Sequence, residues 1–188
     1  MTFLERVVFV KIYIVAGKAR HGKDTVAGFI KDAYKDKKVI NLSYGSYIKQ
    51  YAMKISDWDG SEESKPRELL QTLGTDVIRK KIDPNFFINR LCDDIKVYSY
   101  YFDVITISDA RFPDEIDTPK RLFDDVVTIK VVRDNFTSTL SSKQQAHASE
   151  TALDDYSDYD FVINNSGSLE ELRDKVFEMV EEIDSNER

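Results

Sequence analysis

Lys23 closes the run Gly17-Lys18-Ala19-Arg20-His21-Gly22-Lys23, in which two glycines bracket four residues and a cation follows the second. The spacing suits a polyanion. Gly17 and Gly22 permit a tight backbone that turns successive N–H groups inward, a helix N-terminus behind them adds partial positive charge, and Lys23 can reach the outer phosphates of a nucleotide. The position after the lysine, where Ser or Thr commonly serves a magnesium ion, holds Asp24, and Thr25 comes one residue later. Magnesium prefers oxygen ligands and keeps several waters, so Asp24 can hold it directly or through water while the Thr25 hydroxyl reaches an inner phosphate. The alternative is an ordinary strand-to-helix turn.

The flanking residues supply the elements such a loop needs. Val7 to Val15 reads as a strand, and Val26, Phe29, Ile30 and Ala33 recur at helical spacing behind the loop. Val39 to Leu42 is a short second strand, and Ser46 to Ile55 a helix with Ile48, Tyr51, Ala52 and Ile55 on one face. Ser64, Pro66 and Arg67 announce a helix with a capping residue and an early proline, carrying the stripe Leu69, Leu70, Leu73, Val77 and Ile78. Asp83-Pro84 starts another, with Phe86, Phe87, Ile88 and Leu91. Phe102 to Ser108 is a buried strand that delivers Asp109 to its carboxyl tip, Asp125 to Arg133 is a fourth strand, and Phe161 to Ile163 a fifth. Ser168 and Glu171 form a capping box for a last helix whose apolar side is Leu169, Leu172, Val176, Met179, Val180 and Ile183. This alternation predicts an α/β fold with a mainly parallel sheet, helices on both faces, and ligands at the strands' carboxyl ends.

Composition narrows the partners. The 188 residues carry 27 Lys and Arg against 34 Asp and Glu, a formal charge of -7, which gives no general attraction to nucleic acid. Cys92 is the sole cysteine, so no internal disulfide forms and a reducing, cytoplasmic setting is expected; His21 and His147 do not make a zinc site. Glu5, Arg6 and Lys11 put too much charge in the first segment for a membrane span. The polar stretches 57–65 and 134–150 read as loops that could cover a site. The apolar N-terminal strand and Tyr98 to Phe102 offer a surface for a homodimer contact.

Four blocks, Gly17 to Thr25 (GKARHGKDT), Arg67 to Asp76 (RELLQTLGTD), Ser108 to Asp117 (SDARFPDEID) and Asp160 to Leu172 (DFVINNSGSLEEL), make the chain resemble the deoxynucleoside monophosphate kinases of the bacteriophage type, within the P-loop nucleoside monophosphate kinases. The GKDT ending is itself a feature of that family. The resemblance implies a P-loop NTPase three-layer α/β/α fold with a five-stranded sheet, spanning 1–188 as one domain, with a monophosphate-binding helical insert at about 44–100 and a lid at about 134–150. It implies transfer of the terminal phosphoryl group of ATP, with Mg2+, to the 5′-phosphate of a deoxynucleoside monophosphate. Such chemistry is mainly positioning and charge neutralisation.

On that resemblance, the backbone of Gly17, Lys18, Ala19, Arg20, Gly22, Lys23, Asp24 and Thr25 cradles ATP, with Arg20 either helping or standing as a solvated loop charge. Asp24 and Asp109 serve the magnesium ion or its waters; for Asp109 the alternative is an N-cap for the following helix. Arg67 and Arg111 clamp the acceptor phosphate with Lys49 assisting, or else these three form surface ion pairs. Gln71, one helical turn from Arg67, reads a base edge; Phe87 stacks on the base or belongs to the core; Glu115 belongs to the acceptor side with Asp109 and Arg111. Gly74 and Thr75 interrupt the helical pattern, where the backbone approaches ligand or the helix kinks. Arg133 begins the lid and meets the donor's phosphates or adenine; His147 and Glu150 touch bound nucleotide on closure, or His147 is simply solvated; and Asn164 to Gly167 pass beside the adenine or form a simple turn. A P-loop kinase for another phosphate acceptor, of the dephospho-coenzyme A or phosphomevalonate type, and a non-catalytic ATP-binding module remain the alternatives.

Overall fold

β1 (Lys11–Ala16) is buried at every position because both of its faces are covered. Ile12, Ile14 and Ala16 face one apolar layer and Tyr13 and Val15 the other, as strand alternation requires. In the computed structural model the described residues are 10–134, 136–137 and 145–186, so the first three residues of the expected Val7 to Val15 strand and residues 135 and 138–144 of the expected lid lie outside them.

α1 (Lys23–Ala33), β2 (Val39–Leu42), α2 (Gly45–Ile55) and α3 (Arg67–Gln71) follow, and α3 continues into a π-helical segment, Thr72–Ile82. Next come α4 (Phe86–Tyr98), β3 (Val104–Ala110), α5 (Pro113–Leu122), β4 (Val126–Val132), α6 (Ala148–Thr151), β5 (Phe161–Asn164) and α7 (Leu169–Asn186). The strands form one parallel sheet in the order β2-β3-β1-β4-β5. α1 and α7 pack on one face through Val26, Ile30, Leu172, Val176 and Val180. α2, the π segment, α4 and α5 cover the other through Tyr47, Ile78, Leu91, Ile95 and Ile116. The three-layer α/β/α architecture is therefore present, and β1 ends at its centre, between β3 and β4, where ligands enter open parallel sheets.

Several details depart from expectation. Ser64 does not cap a helix: its hydroxyl contacts Ser61 and Asp59, and α3 begins after Pro66 without a side-chain cap. The 57–65 loop is pinned by the buried Trp58, whose indole N–H donates to the Ser61 carbonyl at 2.9 Å. The capping residue of α7 does hold, with Ser168 Oγ accepting from the Glu171 N–H at 3.1 Å, but Leu169 is exposed.

Candidate active site at the strand tips

The loop after β1 needs glycine at two places. Gly17 has φ +149°, and a Cβ there would lie 2.4 Å from the carbonyl oxygen of Val131 on β4; Gly22 has φ +99°, and a Cβ would meet the Asn165 amide nitrogen at 2.4 Å. Asn165 fastens the loop from the β5–α7 turn, its side-chain N–H donating to the His21 carbonyl at 2.8 Å. Arg20, with φ 63°, turns the crest in the left-handed region and leaves its side chain in solvent. Behind the loop, Gly22 opens α1 with no side-chain cap, so the first N–H groups of the helix are available to an anion. The Lys23 ammonium donates to the Lys18 carbonyl at 2.9 Å. Burial first, and then the Arg111 guanidinium, lower its pKa from the ordinary 10.5. Phosphate charge at this point would oppose both effects.

His21 sits between the loop and Phe136, ring edge to face at 5.7 Å. Burial, with Lys23, Lys18 and Arg133 nearby, lowers its pKa from 6.5 and favours the neutral ring. Its Nδ1 is buried without a hydrogen-bond partner among the described residues.

β3 delivers Ser108, Asp109 and Arg111 to this edge. Ser108 Oγ donates to Asp24 Oδ1 at 2.7 Å, and the Asp24 side chain is otherwise exposed beside Lys23, so one carboxylate faces the loop with an oxygen turned outward. As a hard oxygen donor it fits a magnesium ion that keeps most of its waters. Asp109 does not fit in the same way. Its oxygens accept from Ser43 Oγ (2.7 Å), the Tyr44 N–H (3.0 Å) and the Gly45 N–H (2.8 Å), which satisfies the start of α2. The expected metal role of Asp109, and the alternative of capping the helix after it, both give way to an anchor for α2. Asp109→Ala leaves these three donors unsatisfied and is expected to cost about 2 kcal/mol in urea unfolding, whereas an unperturbed midpoint would contradict the anchor.

Across the loop stands the segment containing α6. Arg111 Nη1 contacts the Glu150 carboxylate and the Ser149 carbonyl, and Lys18 Nζ contacts the Asp154 carboxylate and the Glu150 carbonyl. Between the two lies a cleft of about 300 Å³ lined by Gly17, Lys18, His21, Arg111, Val131 and Glu150. Glu150 lines this cleft, and His147 caps α6, its Nδ1 accepting from the Ser149 N–H at 3.3 Å. Arg133 lies exposed over the Phe136 ring, and Asn164 contacts Asp134 and Ser166.

The acceptor-side residues divide. Arg67 is exposed on α3 and Gln71 half-buried one turn on; Lys49 on α2 lies 3.8 Å from Glu62. Gly74 and Thr75 are buried in the π segment, and a Cβ on Gly74 would come 2.9 Å from Ile48 Cδ1, so Gly74 serves packing on α2 rather than ligand approach. Phe87 has no exposed surface for a base; it lies in the core beneath the Arg79 guanidinium, 4.9 Å from its centroid. Glu115 is likewise enclosed, 1% exposed, paired with Arg79 and accepting from the Arg111 N–H at 2.7 Å. It holds other protein groups instead of meeting an acceptor directly.

Burial pushes the Glu115 carboxyl up to about 7, against the opposing pull of Arg79 and the Arg111 N–H. The folded state thus keeps a proton that the unfolded chain releases between about 4.5 and 7, so this stabilising contribution is full below 4.5 and fades as pH approaches 7. Glu115→Gln has no such proton to lose and is expected to flatten the pH dependence of Tm across that window. A slope equal to that of the wild type would contradict the assignment.

Sequence reasoning missed Ser108, Asp154 and Arg79 as parts of this edge, and gave Asn165 no role in fastening the loop. Ser108 adjoins a residue it did select; Asp154 and Arg79 are joined to the site only by long-range contacts.

The family model for deoxynucleotide monophosphate kinase matches residues 38–176. The chain belongs to that family. The match starts beyond the Gly17 to Thr25 loop, so the loop geometry and family membership are separate observations. Relatives in the family include the deoxynucleotide monophosphate kinases of Escherichia phage RB69, 32% identical over 111 residues, and of Enterobacteria phage T4, 27% identical over 157 residues. These alignments cover 58% and 83% of this chain but 42% and 60% of the relatives, so the chain spans about half the length of the curated family members it matches. Among solved structures, a sugar kinase from a Janibacter species superposes with TM-score 0.58 at 12% identity, covering 92% of this chain and 95% of that one. The dephospho-CoA kinase of Campylobacter jejuni gives 0.51 at 15% identity, covering 93% and 98%. At such identities these neighbours establish the shared fold of the family member described here. No described helix is long and apolar enough to cross a membrane.

Proposed function

We propose that this protein transfers the terminal phosphoryl group of ATP to the 5′-phosphate of a deoxynucleoside monophosphate, giving the diphosphate. The observation that carries the reading is the loop itself: Gly17 and Gly22 turn the chain from β1 into the uncapped N-terminus of α1, where Lys23 stands within electrostatic reach of the Arg111 guanidinium. Phosphoryl transfer asks a protein for cations and backbone donors that bring two polyanions together and spread the developing charge. In this reading the Gly17 to Thr25 backbone and Lys23 hold the donor phosphates, and the Thr25 hydroxyl meets an inner phosphate. Asp24, oriented by Ser108, holds Mg2+ or its waters; the bound ion supplies neutralisation of phosphate oxygens.

Arg111 faces the transferring group once the carboxylate of Glu150 is exchanged for phosphate. Arg67 and Lys49 receive the acceptor phosphate, and Gln71 reads its base. Residues 44–100 are then the acceptor-binding insert and 134–150 the lid, with Arg133 and Asn164 on the adenine side. The test is ADP release, coupled to NADH oxidation, with ATP, Mg2+ and each of the four deoxynucleoside monophosphates. Turnover with one or two acceptors, lost in Arg67→Ala, is the expected result; ATP binding without acceptor-dependent turnover contradicts it.

A further inference from the structure

Arg79 lies on the π segment, in the same continuous helix as Arg67 and Gln71, yet its side chain points away from solvent and is 15% exposed. Its guanidinium is sandwiched between aromatic rings, 4.9 Å from the Phe87 centroid and 4.5 Å from that of Phe112. From there Nη2 donates to Oε1 of Glu115. The other oxygen of that carboxylate, Oε2, accepts from the backbone N–H of Arg111 at 2.7 Å and of Phe112 at 3.2 Å. The Glu115 carbonyl in turn accepts from the Tyr44 hydroxyl at 2.6 Å, at the start of α2. One buried carboxylate therefore joins the helix proposed to hold the acceptor to the backbone of the arginine proposed to face the transferring phosphoryl group.

A buried ion pair is a poor source of stability, since an apolar pair of similar volume commonly does as well. What an apolar pair cannot do is accept the Arg111 and Phe112 N–H groups while gripping another element. The planar, always-charged fork of arginine, stacked on two rings, is also the side chain that best fixes a carboxylate's orientation.

We propose that Arg79 is a positioning residue: through Glu115 it sets the backbone of Arg111 and so couples the seating of the acceptor helix to the cation at the β3 tip. This rests on the function proposed above. The experiment is a double-mutant cycle of Arg79→Met and Arg111→Ala, with amide exchange of Arg111 and Phe112 followed by NMR in the wild type and Arg79→Met.

The expected results are a kcat lowered roughly 10- to 100-fold in Arg79→Met with the KM for ATP within about twofold, and less than about threefold further loss when Arg79→Met is added to Arg111→Ala. Exchange at Arg111 and Phe112 should quicken relative to Ile107 in the same variant. Losses that multiply in the double variant, or unchanged exchange at Arg111, overturn the proposal. Should Arg79→Met fail to fold because Glu115 is left unpaired, Arg79→Lys, which keeps the charge but not the stacked fork, runs through the same cycle with the same criteria. A wild type without acceptor-dependent turnover sinks the functional reading, and the exchange measurement still decides whether Arg79 anchors Arg111.

Discussion

Lys23→Ala is expected to lower kcat/KM roughly 10²- to 10³-fold while leaving the fold intact. The size follows from removing one preorganised cation aimed at charge that develops during transfer, an effect of about 3 to 4 kcal/mol in a partly desolvated site. The structural cost is small because the hydrogen bond that the Lys23 ammonium makes goes to a loop carbonyl, that of Lys18. Tm should therefore move by about 2 °C or less. Circular dichroism melting and a steady-state assay check the two halves. A variant that retains a tenth or more of the wild-type kcat/KM would mean that Lys23 does not meet the transferring phosphates.

Gly17→Ala is expected to do damage of a different kind, unfolding the loop rather than removing a charge. Its Cβ would stand 2.4 Å from the Val131 carbonyl oxygen, a backbone atom, in a residue whose φ of +149° already disfavours a side chain. Neither atom can swing aside, so β1 and β4 must separate at their tips. A loss of about 3 kcal/mol, or roughly 6 to 12 °C in Tm, is expected together with ATP affinity reduced at least about tenfold. Gly28→Ala, one helix further on, is the contrast. Nothing lies within 4 Å of a Cβ there, and the change is expected to stabilise α1 by about 0.5 to 1 kcal/mol. If Gly17→Ala melts at the wild-type temperature, the close packing of the loop on Val131 is wrong.

Much of this arrangement is legible in the sequence because its causes are local. β1, β3 and β4 are covered on both faces, so they read as nearly unbroken apolar runs, and α1 and α7 show helical periodicity because each has one face on the sheet. The loop is legible for the same kind of reason: glycine spacing and the lysine after it express a backbone requirement.

What escaped the sequence depends on partners far along the chain. Asp109 stands at a strand tip as a metal ligand would, but its three donors come from Ser43, Tyr44 and Gly45, more than sixty positions earlier. Gly74 looked like a ligand approach, and only Ile48 on α2 explains it. The π-helical segment Thr72–Ile82, which touches both α2 and α4, is likewise not legible, because α-helical periodicity gives no sign of it. Arg79 carries no signal in the sequence and Glu115 reads there as an acceptor-side residue; only the packing of Phe87 and Phe112 on the Arg79 guanidinium shows the two as a buried pair.

The activity proposed for the β1–α1 loop and Arg111 is transfer of a phosphoryl group between two nucleotides. The most direct measurement is incubation with ATP labelled in the terminal phosphate, Mg2+ and each deoxynucleoside monophosphate, followed by chromatographic separation of the products. Label appearing in a deoxynucleoside diphosphate, absent with Lys23→Ala and Arg111→Ala, is the predicted result. Label that stays in ATP or emerges as free phosphate, whichever monophosphate is supplied, would contradict it.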